Sequence, residues 1–182
     1  KQRMDNELRN RQLVQFVDLI TPEEFKEQSR KILLTAGVLS GQENREVREF
    51  LSRGFHAEIH AHCGKLFEQC NYFHAVFEAS KVYNRRVQEK ALSAKDGQSL
   101  MMDAWSCSGV LKVTACETET DKNIQEGIKF LSAGLMQAMR NPTAHEPALD
   151  WPISKEDCLD MLSFISYLLK QLDKAVYFKQ NN

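Results

Sequence analysis

Tyr72-Phe73-His74-Ala75-Val76-Phe77-Glu78-Ala79-Ser80-Lys81-Val82-Tyr83-Asn84-Arg85-Arg86-Val87 sets Phe73, Val76, Phe77, Ser80, Tyr83 and Val87 at steps of three and four residues. That is the period of a helix with one face turned inward; a half-buried strand would alternate every second residue. The pattern predicts one long helix from Tyr72 to Leu92, and the neighbouring segments follow suit. Residues 56–70 read as a helix carrying Ile59, Cys63, Leu66 and Phe67, with Asn71 making the turn between the two. A short helix is predicted over 97–105 after the Lys95-Asp96-Gly97 turn. Helix returns near Asn123 and runs to Met139, with Ile124, Ile128, Leu131, Leu135 and Ala138 as the stripe expected to face the core. Ser154 with Asp157 three residues on resembles a capping box. It opens a final helix, apolar on more than one side (Leu159, Leu162, Phe164, Ile165, Leu168, Leu169, Leu172), which should therefore be central. Cys107 to Asp121 is read as an irregular loop, although Val110, Leu111, Val113 and Thr114 have some strand character, and Pro142 to Pro152 reads as a loop. The expected class is all-α, a helical bundle.

Upstream, residues 6–20 read as a helix through Leu8, Leu13, Phe16, Val17 and Ile20. Thr21-Pro22-Glu23-Glu24 looks like a helix start, with Thr21 as cap, Pro22 in the first turn and Glu24 closing a capping box. That helix runs through Phe25, Ile32 and Leu33 towards Gly37. A polar break at Ser40-Gly41-Gln42 precedes a short charged helix through Val47 and Leu51. The texture changes after Gly54, so the expected division is an N-terminal helical extension, 1–53, and a main helical domain, 54–182.

A length of 182 residues with 42% hydrophobic content suffices for a real core. The formal net charge is −1, so any nucleic-acid contact must rest on a local basic surface rather than a global excess. Five cysteines (Cys63, Cys70, Cys107, Cys116, Cys158) show no C-x-x-C pair and no zinc spacing, which fits free thiols in a reducing compartment. No signal peptide is read, and no apolar run approaches the roughly 20 residues of a membrane span. The expectation is a soluble, cytoplasmic protein with no membrane contact.

Arg140-Asn141-Pro142-Thr143-Ala144-His145 holds the residues best suited to chemistry. Histidine is the side chain fitted to proton transfer near neutral pH. The arginine fork matches phosphate oxygens. RNA brings its own nucleophile, the ribose 2′-hydroxyl, so a positioned base and a charge stabiliser can cleave it without metal. Asn141 adds a donor and acceptor that can orient phosphate or imidazole. The competing reading is structural, with Arg140 capping helix carbonyls and a partly buried His145 bonded to backbone. On a helical wheel Arg140 falls near Ala133 and Gln137. With Gly134 these form a second surface, away from the apolar stripe, where small residues would admit another helix, including one from a second subunit.

These residues resemble the HEPN superfamily, whose motif is Arg, four to six residues, then His, often with a polar residue after the Arg. More narrowly, the chain is similar to the Ymh-type prokaryotic family. The segments that carry the likeness are Lys65-Leu66-Phe67-Glu68 with Tyr72 to Ala79, then Gln125-Glu126-Gly127, then Arg140 to Glu146, across roughly residues 56–178. The resemblance implies a bundle that forms a homodimer, with two motifs in one cleft. It implies a metal-independent endoribonuclease leaving 2′,3′-cyclic phosphate and 5′-hydroxyl ends, with no cofactor. Arg140, His145 and Asn141 would be its catalytic residues, and a phage-defence or toxin–antitoxin setting its context, the latter bringing a regulatory or antitoxin partner. The alternative is a non-catalytic HEPN module that binds RNA, nucleotide or a partner protein.

Glu78, Lys81 and Arg85 are supporting or RNA-binding candidates, because several HEPN families carry an acidic and a basic residue in this region. The competing reading is a solvated, salt-bridged helix face with Arg86 beside it. His56 and His60 stand one turn apart, with Glu58 and Cys63 near, but no convincing metal set is completed and no metal is expected. His74 reads as a helix-surface or interface residue. Trp105 and Trp151 read as core or loop anchors.

Overall fold

A computed structural model of the chain describes residues 13, 16–17, 20–35, 41–145, 147 and 150–178. The chain divides into two compact units, Lys1–Ser52 and Arg53–Asn182. Both are helical, as the periodicity implies.

In the first unit the helix expected over 6–20 falls mostly outside the described residues; Leu13, Phe16, Val17 and Ile20 are helical. The Thr21 cap is corrected. Pro22, not Thr21, occupies the cap position, and it opens a single 3-10 turn, Glu23–Phe25, before helix α1, Lys26–Thr35. A proline has no side-chain acceptor with which to bond the first amides. Helix α2, Gly41–Ser52, absorbs Gly41 and Gln42 of the expected break.

The second unit is built around α4, Tyr72–Ala91, the long helix. Helix α3, Ala57–Glu68, precedes it, and His56 caps α3 by accepting the Glu58 amide on Nδ1 at 3.1 Å. A left-handed Cys70 (φ 55) makes the tight reversal between the two helices. Helix α8, Lys155–Lys174, lies along α4 as the second central helix, burying Leu159, Leu162, Ile165, Leu168, Leu169 and Leu172. Ser154 caps it, accepting the Asp157 amide at 3.0 Å. The Asp157 carboxylate takes the Ser154 hydroxyl (2.7 Å). At its far end the Lys90 ammonium binds the carbonyls of Leu172 and Asp173, a cation where the helix dipole is negative.

Helix α5, Gly97–Ala104, leads into the loop that the sequence left ambiguous. That loop holds a two-residue strand β1, Leu111–Lys112, antiparallel to β2, Val176–Tyr177, and is otherwise irregular. Helix α6, Glu119–Leu135, starts four residues before the expected Asn123. Thr118 and Asp121 form a reciprocal capping box there.

The expected core stripe of α6 is corrected. Ile128 and Leu135 are buried, but Ile124 (49%), Leu131 (42%) and Ala138 are exposed. The buried face instead includes Gln125, Ser132 and Met136. Gln125 and Ser132 can go inside because their polar atoms are bonded. Tyr83 Oη and Ser132 Oγ lie 2.7 Å apart in the core. Gln125 donates to the carbonyls of Trp105 (2.6 Å) and Leu111 (2.9 Å) and accepts the Val113 amide (3.0 Å). A buried polar group so bonded costs little, whereas an unbonded one costs much.

Burial also sets the alkaline limit of the fold. The thiols of Cys63 and Cys158 are pushed up from 9.0 to about 12, above all by desolvation, and burial likewise raises the Tyr83 phenol. The folded state therefore holds these protons more tightly than the unfolded chain does. The stability they contribute is complete below about pH 9 and is lost as pH climbs towards 12. Thermal melts at rising pH are expected to show a midpoint falling steadily above about pH 9; a flat profile to pH 11 would show that these groups do not govern it.

Candidate functional site

The segment expected to be a loop from Pro142 is helical at first. After α6 the chain makes a π-helical turn, Met136–Arg140, and continues as α7, Asn141–His145. The Asn141 amide donates to the Met136 carbonyl, five residues back. Pro142 is accommodated for a local reason. Proline lacks the N–H that an α-helix needs at every interior position and crowds the carbonyl four residues earlier. A wider π turn just before it removes that crowding. The expectation that Arg140 sits where helix gives way to a proline loop is thus corrected: Arg140 ends a π turn within a helical run.

Arg140 is half-buried, its side chain 27% exposed, and its Nη2 pairs with Asp96 Oδ2 at 2.8 Å. Nη1 reaches Asn141 Oδ1 at 3.5 Å. Asp96 stands at the cap of α5 and also accepts Asn84 Nδ2 on its other oxygen at 2.6 Å. Asn84, buried on α4, accepts the Gly97 amide at 2.9 Å. Gly97 makes this possible with a positive φ of 58, a conformation glycine adopts freely. The guanidinium is thereby tied to three elements, α4, α5 and the π turn. The π turn and α7 both pack on α4.

His145 is exposed at the end of α7. Arg140, Asn141 and His145 thus share one short helical run, buried at its beginning and open at its end. That arrangement supplies a fixed cation for an anionic oxygen and an accessible imidazole for a proton.

Glu78, Lys81 and Arg85 are held on their own helix. Glu78 and Lys81 pair at 2.7 Å, and the Lys81 ammonium also sits 5.0 Å over the Phe77 ring. Arg85 pairs with Glu89 at 3.8 Å, and Arg86 pairs with Glu89 and Glu58 at 3.0 and 3.4 Å. The α4 residue tied to Arg140 through Asp96 is Asn84, which the sequence reading passed over. Asp96 was read only as part of a turn. No local pattern marks it as the partner of Arg140, since 44 residues separate the two.

Both ring nitrogens of His56 are engaged, Nδ1 by the α3 cap and Nε2 by Asp173 at 2.8 Å. His60 packs on Phe55, with ring centroids 6.0 Å apart. Cys63 Sγ donates to the Ala75 carbonyl at 3.3 Å. Among the described residues no group of three or more His, Cys, Asp or Glu converges as metal ligands. His74 is exposed and bonds Asn71 (2.6 Å). Trp105 is fully buried, and Trp151 meets Phe73 edge-on. Among the described residues no helix is long and apolar enough to cross a membrane.

One comparison with known proteins bears on this chain: the model of a family described as "Protein of unknown function (Hypoth_ymh)" matches residues 53–172. No curated protein and no solved structure matches it. The match takes in α3 and α4, the buried Gln125, the Asp96–Arg140 pair and the run to His145, and on it the chain belongs to the Ymh family.

Proposed function

We propose that this protein is a metal-independent endoribonuclease that acts as a homodimer in the cytoplasm, with two copies of the Arg140/His145 motif facing one cleft. His145 takes the proton of the ribose 2′-hydroxyl, and the freed oxygen attacks the adjacent phosphorus. Arg140 meets the charge that builds on the phosphoryl oxygens, as preorganised cations do. Asn141 orients the phosphate. The 5′-oxygen leaves with a proton drawn from water, giving 2′,3′-cyclic phosphate and 5′-hydroxyl ends, and His145 returns its own proton to solvent. A role as a toxin or phage-defence effector, with an antitoxin or other regulatory partner, extends the proposal to its setting.

The observation that carries the reading is the fixing of Arg140. A guanidinium anchored by Asp96 at 2.8 Å, five residues before an exposed histidine, is held ready to meet a phosphoryl oxygen. Incubation of the purified protein with mixed RNAs in EDTA is the direct test. Cleavage with cyclic phosphate ends supports the proposal. Intact RNA from a folded dimer favours a non-catalytic module that binds RNA, nucleotide or protein.

The dimer is supported by the outward face of α6. Ile124, Phe130 (59% exposed) and Leu131 line it, with Gly134 and Gln137 leading towards Arg140, while Ala133 is buried. A Cβ on Gly127 or Gly134 would meet nothing within 4 Å, so packing within the chain does not require either glycine. Each lowers helix stability by roughly 1 kcal/mol relative to alanine. A second α6 approaching closely is the occupant this proposal assigns to the face. Phe130→Asp is expected to convert the dimer to monomer in sedimentation and to abolish cleavage; a dimeric, active variant would remove this face from the assembly.

A further inference from the structure

Cys107 and Cys116 lie nine residues apart on the loop between α5 and α6, and their sulfurs meet at 2.7 Å. We propose that they form a redox-modification site, a dithiol that exchanges with low-molecular-weight disulfides to give a disulfide closing the 107–116 loop. The sulfurs are nearer than two unbonded sulfurs ordinarily sit, and bonding at about 2.05 Å needs a shift of well under 1 Å.

The surrounding contacts hold the loop that carries the two cysteines without that bond. Gln125 fixes Leu111 and Val113 from inside the bundle, and the Thr114 hydroxyl binds the Asp121 carbonyl at 2.9 Å. The Lys112 ammonium ties back to the carbonyls of Ser106 and Cys107. Cys116 adopts a left-handed backbone, φ 58, which residues with a side chain seldom take. That conformation falls on the residue whose sulfur meets Cys107.

Access and chemistry set this pair apart from the other thiols. Both cysteines are half-buried, and Cys107 lines a cleft of about 610 Å³ walled also by Lys112, Thr114, Lys174 and Phe178. Cys63 and Cys158 are sealed in the core, and Cys70 is exposed. The Cys107 thiol donates to Cys116 Sγ, a bond that pushes its own pKa up. Cys116, which accepts this bond, loses its own proton to solvent and becomes the attacking thiolate. It attacks the small disulfide and expels one thiolate, leaving a mixed disulfide. Cys107 gives up its proton, attacks Cys116 Sγ and expels the second thiolate. Two protein thiols are oxidised to one disulfide, and one small disulfide is reduced to two thiols. Nothing in this sequence depends on the proposed ribonuclease activity.

The test is incubation of the full chain with oxidised glutathione, followed by alkylation and trypsin digestion. Cleavage at Lys95, Lys112 and Lys122 places Cys107 on peptide 96–112 and Cys116 on peptide 113–122. The expected result is these two peptides joined, in a species running as a single chain on a non-reducing gel and reversed by dithiothreitol. Cys107→Ser is expected to stop at a stable glutathione adduct on Cys116. Stable glutathione adducts on the wild-type pair, two alkylated cysteines after oxidation, or joined peptides running only as a two-chain species would each overturn the proposal.

Discussion

His145→Ala is expected to lose RNA cleavage by roughly 10²- to 10⁴-fold, the range over which a general base contributes. The folding free energy should change by no more than about 0.5 kcal/mol, because the side chain is exposed at the end of α7 and supports no core contact. That separation makes it the cleanest variant. Arg140→Ala is expected to cost a similar factor, about 10²- to 10³-fold for one charge-stabilising donor, but it also releases Asp96. The Asp96 side chain is 51% exposed, so solvent screening keeps the ion pair itself to less than about 1 kcal/mol. Arg140→Lys separates the two effects. It keeps the charge and loses the planar fork, so folding should recover while the rate does not. Single-turnover cleavage of a labelled RNA in EDTA, beside thermal melts of each variant, checks both. Wild-type rates from His145→Ala would end the proton-transfer role assigned to that residue.

Gln125→Ala is expected to be the most damaging substitution for the fold itself. The side chain is fully buried and serves three backbone groups, the buried carbonyls of Trp105 and Leu111 and the part-buried amide of Val113. Alanine leaves all three unsatisfied and opens a cavity beside Trp105. Each unpaired buried group costs about 1–3 kcal/mol, so a loss of roughly 3–5 kcal/mol follows once partial relaxation is allowed for. In a unit of this size that lowers the melting midpoint by roughly 10–20 °C. Differential scanning calorimetry reads the effect directly. A midpoint within two or three degrees of wild type would mean that the loop from Trp105 to Val113 holds itself. The prediction also gives a physical role to Gln125 within the segment Gln125-Glu126-Gly127.

What the sequence made legible was whatever depends on hydrophobic period. Helix α4 came through nearly to the residue, because Phe73, Val76, Tyr83 and Val87 pack on neighbours that ask only for apolar surface. Helix α8 did so for the same reason. Helix α6 was found but its buried face was only partly placed: Ile128 and Leu135 lie inside, whereas Ile124, Leu131 and Ala138 do not. Satisfied hydrogen bonds let the polar Gln125 and Ser132 go inside, and a hydropathy pattern cannot register such bonds. At the candidate site, the Arg140 to His145 motif was visible as spacing. Its anchor was not, since Asp96 and Asn84 come from elsewhere in the chain and meet Arg140 only through the packing of α4 against α5. Pro142 misled in the opposite direction. It signals a helix end almost everywhere, and only the widened turn ahead of it lets the helix run on.

The widened turn has a further consequence for how this motif can vary. A π turn spends one residue more than an α turn on the same rotation, so everything after Met136 is swung about 100° from the bearing a straight helix would give it. Removing a single residue between Met136 and Arg140 would leave a regular helix that keeps its arginine and histidine on the same bearing, whereas straightening the turn at constant length would point them elsewhere. In this segment, aim is therefore encoded by turn type and residue count together, as much as by residue identity. Two chains with the same six-letter motif, aligned without a gap here, need not present the same surface if only one has the π turn; a chain one residue shorter here, in a regular helix, presents the same one.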